Sequence, residues 1–495
     1  MITMKQILSP GLVKKSLASH SWIGLLVGAL MYLVCLSGAI VVFYQEFERW
    51  EQPTVHESLE YDTQAVQQAY NTVAAQEAEH EAEGPHAEDE HGHKHMYVTL
   101  PTESIPRTVV SSDTGGWFVN PDGSLGEKVQ HDWTHMLIHL HLYLHLPASF
   151  GMIVVSILGA MLCGLIISGF LAHPGIFKDA FNLRLKGARR LEQVDIHNRL
   201  SVWGAPFHLM IAITGAFFGL AAIVSLVLAA AFFEGDVEAV IPAVYGAEPE
   251  LEQPIGNPAI GKALEQMNTI APGTTPFYVT VEEVGTPSQY MIVGAEHPGR
   301  LIYAEQYRFD SAGNYLDKIG FSDGEAGRQI IFSVYRIHFG HFGGFAVKIL
   351  YAIFGLALTI VSVTGINIWL VKRKTRDYLN NVWTGIVWGT PAALALSGTT
   401  QVMIDIPSTG VLWVGVVAAI ALAQYLDDDN KSKAILQVFS ALFLTALVTL
   451  HVITFGWAVA PVVMGLNITL LVIAVIFLLM GLRQMRKPIL NEALA

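Results

Sequence analysis

The sequence predicts an α-helical integral membrane protein with eight transmembrane helices and two small α+β periplasmic domains. Three observations predict it. Only 14% of the 495 residues are charged while 52% are hydrophobic, where a soluble protein carries about 25% charged residues. Eight apolar runs reach the roughly 20 residues needed to cross a bilayer. A helix, a long loop and a second helix then recur in the same order, the mark of a duplication.

The apolar runs fall at about 22–44, 146–172, 201–233, 345–371, 383–404, 408–426, 434–456 and 460–482. The first follows Lys14 and Lys15 with no small-residue cleavage site after it, so it reads as a retained span, 17–44, rather than a signal peptide. Positive charge sets the orientation. With the N-terminus inside, segments 1–21, 173–200, 372–382, 427–433 and 483–495 hold 18 Lys and Arg against 8 acidic residues. Both termini are then cytosolic, and the acidic loops 45–130 and 234–334 face outward, as in a bacterial inner membrane bordering a periplasm. The remaining pieces are a second span at 131–172, a cytosolic loop at 173–200, a third span at 201–233, a fourth at 335–371 and an added four-helix segment at 383–482. A net charge of −13 leaves no basic surface for nucleic acid. Cys35 and Cys163 stand alone in apolar runs, which excludes a disulfide framework and a cysteine-based metal centre.

Each external loop reads as one helix followed by strands. In the first, a helix over Tyr61–Ala75 precedes strands near Tyr97–Leu100, Thr108–Ser111 and Gly116–Asn120; in the second, Ala259–Ile270 precedes Pro276–Glu282, Tyr290–Val293 and Leu301–Phe309. Both end in an aromatic strand and an Asn/Asp/Gly turn. Within the first loop, residues 77–95 are acidic and His-rich, a composition that favours disorder. His91, His93 and His95 there offer imidazoles suited to Zn, Cu or Ni.

Histidine, 19 residues in all, is the residue type that carries chemistry. His20 precedes Gly38 by 18 residues and His197 precedes Gly215 by the same 18; His141 precedes Gly169 by 28, and His338 precedes Gly365 by 27. Eighteen residues rise about 27 Å, so each helix places a histidine at one membrane face and a small residue at the other. His20 and His197 form an inner pair, and His141 and His338 an outer pair. Ionisable side chains near membrane depth are costly and by default functional, and facing histidines with glycine-lined space between helices suit bis-histidine haem. No C-x-x-C-H motif occurs, so two b-type haems are expected. His139 and His145 are alternatives to His141 within the cluster at 131–145, where His145 to Gly169 equals His341 to Gly365, 24 residues each; His341 and, in the third span, His208 complete the reserve set.

Four motif groups carry a family resemblance: His20-Ser-Trp-Ile-Gly with Leu36-Ser-Gly; Leu140-His-Leu-Tyr-Leu; Asp195-Ile-His-Asn-Arg with Thr214-Gly215; and Ile337-His-Phe-Gly-His-Phe-Gly-Gly with Thr364-Gly365 and Trp369. Over about 10–376 the sequence resembles the PepSY-associated transmembrane proteins, the PiuB-like or iron-regulated membrane protein family. The resemblance implies a di-haem membrane reductase that acts in iron acquisition on a ferric siderophore or another ferric chelate, with the two external modules as PepSY domains. Some relatives carry a cytosolic flavin-reductase module without a counterpart in these 495 residues, so the donor is open between a cytosolic flavoprotein and a quinol. The competing reading is a periplasmic metal-binding sensor, chaperone or transporter that uses the His-rich loop.

Overall fold

A computed structural model describes residues 9–82, 96–181, 189–373, 375–404, 406–457 and 460–486. In chain order it holds α1 (Pro10–Val41), α2 (Tyr44–Glu51), α3 (Thr63–Ala82), β1 (Met96–Thr99), β2 (Val109–Ser112), β3 (Gly115–Val119), β4 (Leu125–Lys128), α4 (Asp132–Tyr143), α5 (Ala148–Ala172), α6 (Ile176–Asp179) and α7 (Arg189–Phe232). There follow α8 (Val240–Tyr245), α9 (Ile260–Ile270), β5 (Thr275–Glu282), β6 (Tyr290–Glu296), β7 (Glu305–Asp310), β8 (Tyr315–Lys318), α10 (Ala326–Phe339), α11 (Gly344–Lys372), α12 (Tyr378–Ile404), α13 (Ser408–Leu426), α14 (Asp429–Phe455) and α15 (Pro461–Met485). The chain divides into a helical unit, Met1–Pro53, His131–Ala221 and Gly343–Ala495, and a sheet-bearing unit, Thr54–Gln130 and Ala222–Phe342.

Among the described residues, seven helices are long and apolar enough to cross a membrane: α1, α5, α7, α11, α13, α14 and α15. The eighth expected span, 383–404, lies in α12, which is long enough but less apolar. Its Asn381, Thr384, Thr390, Ser397 and Thr399 are buried among neighbouring helices, and Thr399 Oγ1 donates to the Phe443 carbonyl at 3.1 Å. A helix enclosed by protein needs less apolar character than one facing lipid, because its polar groups bond internally.

The span expected at 131–172 is two helices rather than one. Leu144 and His145 adopt left-handed φ of 54° and 57°, and Pro147, which has no N–H to give, precedes α5, so the helix stops and restarts. The second copy breaks alike between α10 and α11, where Gly340 takes φ 71°. His145 and His341 occupy the same place in the two breaks, three residues before the next helix. The one-residue difference between the His141 and His338 spacings therefore falls in the helical turn before the break.

Four helices close a ring, and small residues set its contacts. α1 meets α5 through His20 and Leu165. α5 meets α7 where the Gly219 N–H donates to Ser156 Oγ at 2.8 Å and where a Cβ on Gly159 would stand 3.0 Å from the Ala212 carbonyl. α7 meets α11 through His197 and Val361, and α11 returns to α1 where a Cβ on Gly355 would stand 3.0 Å from Ala39. Without a hydrophobic drive between helices in lipid, such close backbone approach supplies the packing. α2 is pinned by a buried ion pair: Lys348 Nζ of α11 donates to Glu46 at 2.7 and 2.9 Å and to Gln45 at 2.9 Å.

The added helices dock on the ring and on α2 and α4 through indoles and polar groups. Tyr32 donates to the Val387 carbonyl at 2.7 Å, Trp383 to Asn367 at 3.0 Å, Trp133 to Ser397 at 3.2 Å and Trp50 to Asn467 at 2.8 Å. His451 is stacked on Trp50, centroids 4.1 Å apart, and donates from Nε2 to the Trp50 carbonyl at 2.8 Å.

In the other unit, the two modules that the sequence presents as separate domains share one sheet. Each supplies a helix and four strands, one strand more than expected, and all eight strands run in the order β4-β3-β2-β1-β5-β6-β7-β8. β1 and β5 pair antiparallel, Tyr97 opposite Thr280 and Val98 opposite Val279, so the strand order reads the same outward from this junction in both directions. The missed strands close equivalent hairpins: Gly123 N–H donates to the Asn120 carbonyl and Gly313 N–H to the Asp310 carbonyl, both at 2.9 Å, each glycine at positive φ. One sheet face carries Val98, Val110, Val279, Val281, Met291 and Val293 against Val66, Tyr70 and Val73 of α3 and Ile260, Leu264 and Met267 of α9. The Asp62 carboxylate accepts the Gln64 and Ala65 N–H groups at 2.8 and 2.9 Å and caps α3. That helix runs on to Ala82 because Glu and Ala are good helix formers, so the first residues of the His-rich tract are helical, and Glu77 accepts from Ser112 and Thr114.

Candidate functional site

His20 on α1 and His197 on α7 come together. Their rings meet edge to face, with centroids 6.1 Å apart and planes at 85°. Facing helices orient both in the same way. His20 Nδ1 lies 3.0 Å from the Leu165 carbonyl and 3.3 Å from Ser168 Oγ on α5. His197 Nδ1 lies 3.1 Å from the Val361 carbonyl and 3.1 Å from Thr364 Oγ1 on α11. A carbonyl only accepts, so Nδ1 carries the proton and Nε2 keeps its lone pair; this is the second-shell device that prepares a histidine as a ligand.

The glycines stand against these rings. A Cβ on Gly169 would lie 3.2 Å from His20 Cε1, and one on Gly365 3.5 Å from His197 Cε1. Gly38 is tighter, with His141 Cε1 only 2.7 Å from where its Cβ would be, a separation no real Cβ tolerates. His141, on α4, also turns Nδ1 to a backbone carbonyl, that of Val34 at 2.9 Å. Gly215 offers its carbonyl to Ser156 Oγ at 3.2 Å.

His338 sits in the last turn of α10, half-buried and edge to face with Phe339. It belongs to the sheet-bearing unit and His141 to the helical one. The reserve positions sort by their bonding. His145 uses both nitrogens, Nε2 on the Met136 carbonyl at 2.8 Å and Nδ1 accepting from Trp413 Nε1 at 3.0 Å. His208 is buried and turns Nε2 to the Phe354 carbonyl at 3.2 Å. His139 is exposed and stacks on His135, and His341 lies near Tyr335 and Phe339. His91, His93 and His95 lie outside the described residues.

Sequence reasoning missed Glu51. It ends α2 and caps α4 from outside: its carboxylate accepts the N–H groups of Trp133 and Thr134, each at 2.9 Å, and the Thr134 hydroxyl. Burial pushes this carboxyl up to about 7, against the lowering effect of those three bonds. No local sequence signal marks an acid that caps a helix 82 residues away.

These features define a duplicated polytopic membrane protein whose paired histidines come one from each copy. The chain belongs to the PepSY-associated TM region family, whose profile matches residues 17–372. It is also similar to an uncharacterized protein of Pseudomonas aeruginosa, 24% identical over 282 residues, covering 53% of this chain and 70% of that protein.

Proposed function

We propose that this protein is a haem-containing oxidoreductase of the bacterial inner membrane, passing electrons outward to a periplasmic ferric complex such as a ferric siderophore. The observation that carries the reading is the His20–His197 pair. The two rings stand 6.1 Å apart, centroid to centroid, with each Nδ1 turned to a carbonyl of another helix, so one haem would be within reach of both. The donors fit haem iron: two neutral imidazoles, each with Nδ1 held and Nε2 available, among apolar helices. A haem held there by His20 and His197 would supply one-electron exchange.

The chain's own residues fix the conditions. Leu165 and Val361 carbonyls hold the Nδ1 protons and raise the basicity of Nε2. Ser168 and Thr364 hydroxyls add a second contact to each nitrogen, while Gly169 and Gly365 let the facing helices approach. In this reading His141 ligates the second haem, α12 is the eighth span, and the eight-stranded unit is the pair of PepSY domains, outside the membrane. Each ferric ion takes one electron to become ferrous, and a quinol or a reduced cytosolic flavoprotein is oxidised on the other side. Basic residues of the segment 173–200, Arg184, Lys186, Arg189 and Arg190, suit an acidic flavoprotein by electrostatic steering.

The test is spectroscopic and then vectorial. Protein purified after expression with ample haem is expected to show a Soret band and two haems per chain, with one lost in His20→Ala or His197→Ala. In oriented proteoliposomes, an impermeant ferric chelate on the periplasmic face is expected to reoxidise dithionite-reduced protein. Purified protein without a Soret band sinks the reading, and reoxidation from the cytosolic face alone reverses its direction.

A further inference from the structure

We propose that Glu48, His131 and His135 bind one divalent transition-metal ion of the zinc class, at a site separate from the His20–His197 pair and independent of the electron-transfer reading. The ligand atoms of the three residues all lie within 4.8 Å of one another. His131 Nδ1 and Glu48 Oε1 are 4.0 Å apart, too far for a hydrogen bond. Donors about 2 Å from a shared tetrahedral ion stand about 3.3 Å apart, so small side-chain rotations bring the set to bonding distance.

The scaffold that brings them together is rigid. His131 and His135 are one helical turn apart on a single face, and the His135 N–H donates to the His131 carbonyl at 2.8 Å; the i, i+4 histidine pair is a recurrent metal-binding spacing. Glu48 comes from α2, one turn before Glu51, whose carboxylate clamps the start of α4 through two backbone N–H groups. Trp133, between the two histidines, is wedged against Phe47 at 5.4 Å and Trp50 at 5.9 Å and held through its indole by Ser397. The set therefore lies on two helices locked to each other.

Donor chemistry selects the ion. Two imidazoles and one carboxylate suit Zn, Ni or Cu, whereas Ca and Mg take oxygen sets. Three protein donors leave a coordination position open to water or an incoming group. Burial falls from His131 through Glu48 to the exposed His135, which gives the ion a path from solvent. His139, a further turn along and stacked on His135 at 6.3 Å, lies outside the set.

Zinc is the probe. Full-length protein in detergent, stripped of metal and reloaded with Zn, is dialysed against a mild competing chelator, and the metal kept per chain is measured. His135→Ala, at an exposed position, is expected to keep one zinc fewer than wild type, and Glu48→Gln to bind that zinc more than about tenfold more weakly. A triple variant, His91→Ala, His93→Ala and His95→Ala, is expected to retain it. Equal zinc content and affinity in wild type, His135→Ala and Glu48→Gln overturns the proposal, as does loss of the tightly held zinc in the triple variant alone.

Discussion

The His20–His197 pair and the histidines of α4 use one residue type in opposite settings. The pair draws a ring from each copy of the repeat, both rings half-buried, and each Nδ1 faces a backbone carbonyl and a hydroxyl from another helix. Along α4, His131, His135 and His139 step down one helix face, and the second and third are exposed. Fixed Nδ1 protons on facing helices leave two Nε2 lone pairs, the ones on which the proposed haem would draw. A stepped row beside Glu48 prepares a site that solvent can reach. Placement and hydrogen-bonding partner, rather than histidine content, separate the two.

The sharpest way to break this contrast is to remove one imidazole from each region. His197→Ala is expected to abolish a haem site outright while His135→Ala leaves the visible spectrum unchanged; loss of haem in His135→Ala would merge the two regions into one. Next in size is crowding. Gly38→Leu drives a side chain into the His141 ring and is expected to lower folded yield strongly by size-exclusion chromatography, whereas Gly164→Ala, with open space around it, is expected to be neutral.

A smaller effect tests the scaffold under the α4 row. Because burial raises the Glu51 carboxyl from 4.5 to about 7, the folded protein holds a proton there that the unfolded chain has released. Its contribution is therefore fully present below pH 4.5 and is lost as the pH rises through 7. Thermal stability in detergent is expected to decline over that window, and Glu51→Gln, which has no such proton to lose, is expected to flatten the decline. Glu51→Ala leaves two buried N–H groups without their acceptor and is expected to cost about 1–3 kcal/mol. Smallest are Ser168→Ala and Thr364→Val. Each removes a hydroxyl while the carbonyl still holds Nδ1, so both are expected to keep haem and to shift its midpoint potential modestly in the same direction. Full loss of haem in either would make the hydroxyl the main anchor.

The seven apolar helices, the repeated order of elements and the approach of His20 to His197 were legible because they rest on local signals: apolar runs, turn residues and repeated spacings. The break after Tyr143 carried a visible sign in Pro147, but the span assigned to 131–172 ran through it. β4 and β8 escaped because Leu125–Lys128 and Tyr315–Lys318 are short and polar, with little alternation to mark them. The fusion of the two modules was hidden because β1 and β5 lie about 180 residues apart in the chain, and no strand signals its partner. Glu48 and the Trp50–His451–Asn467 contacts were unreadable for the same reason. The polar residues of α12 mark its enclosure by neighbours, which composition alone reads as a weaker span.

Strands β1 and β5 join copy to copy across a self-matching edge, and the histidine pair likewise takes one member from each copy. A chain of half this length would hold half a site and an open sheet edge, so its stable form would be an isologous homodimer closed about a two-fold axis. Joining two protomers in one polypeptide lifts the rule that whatever one carries the other must carry. At the 197-residue offset between His141 and His338, the positions matching His131 and His135 are Arg328 and Phe332, neither of which ligates a metal in the manner of histidine. A symmetric ancestor would have had two such clusters or none; among the described residues the fused chain has one, and so has acquired a side.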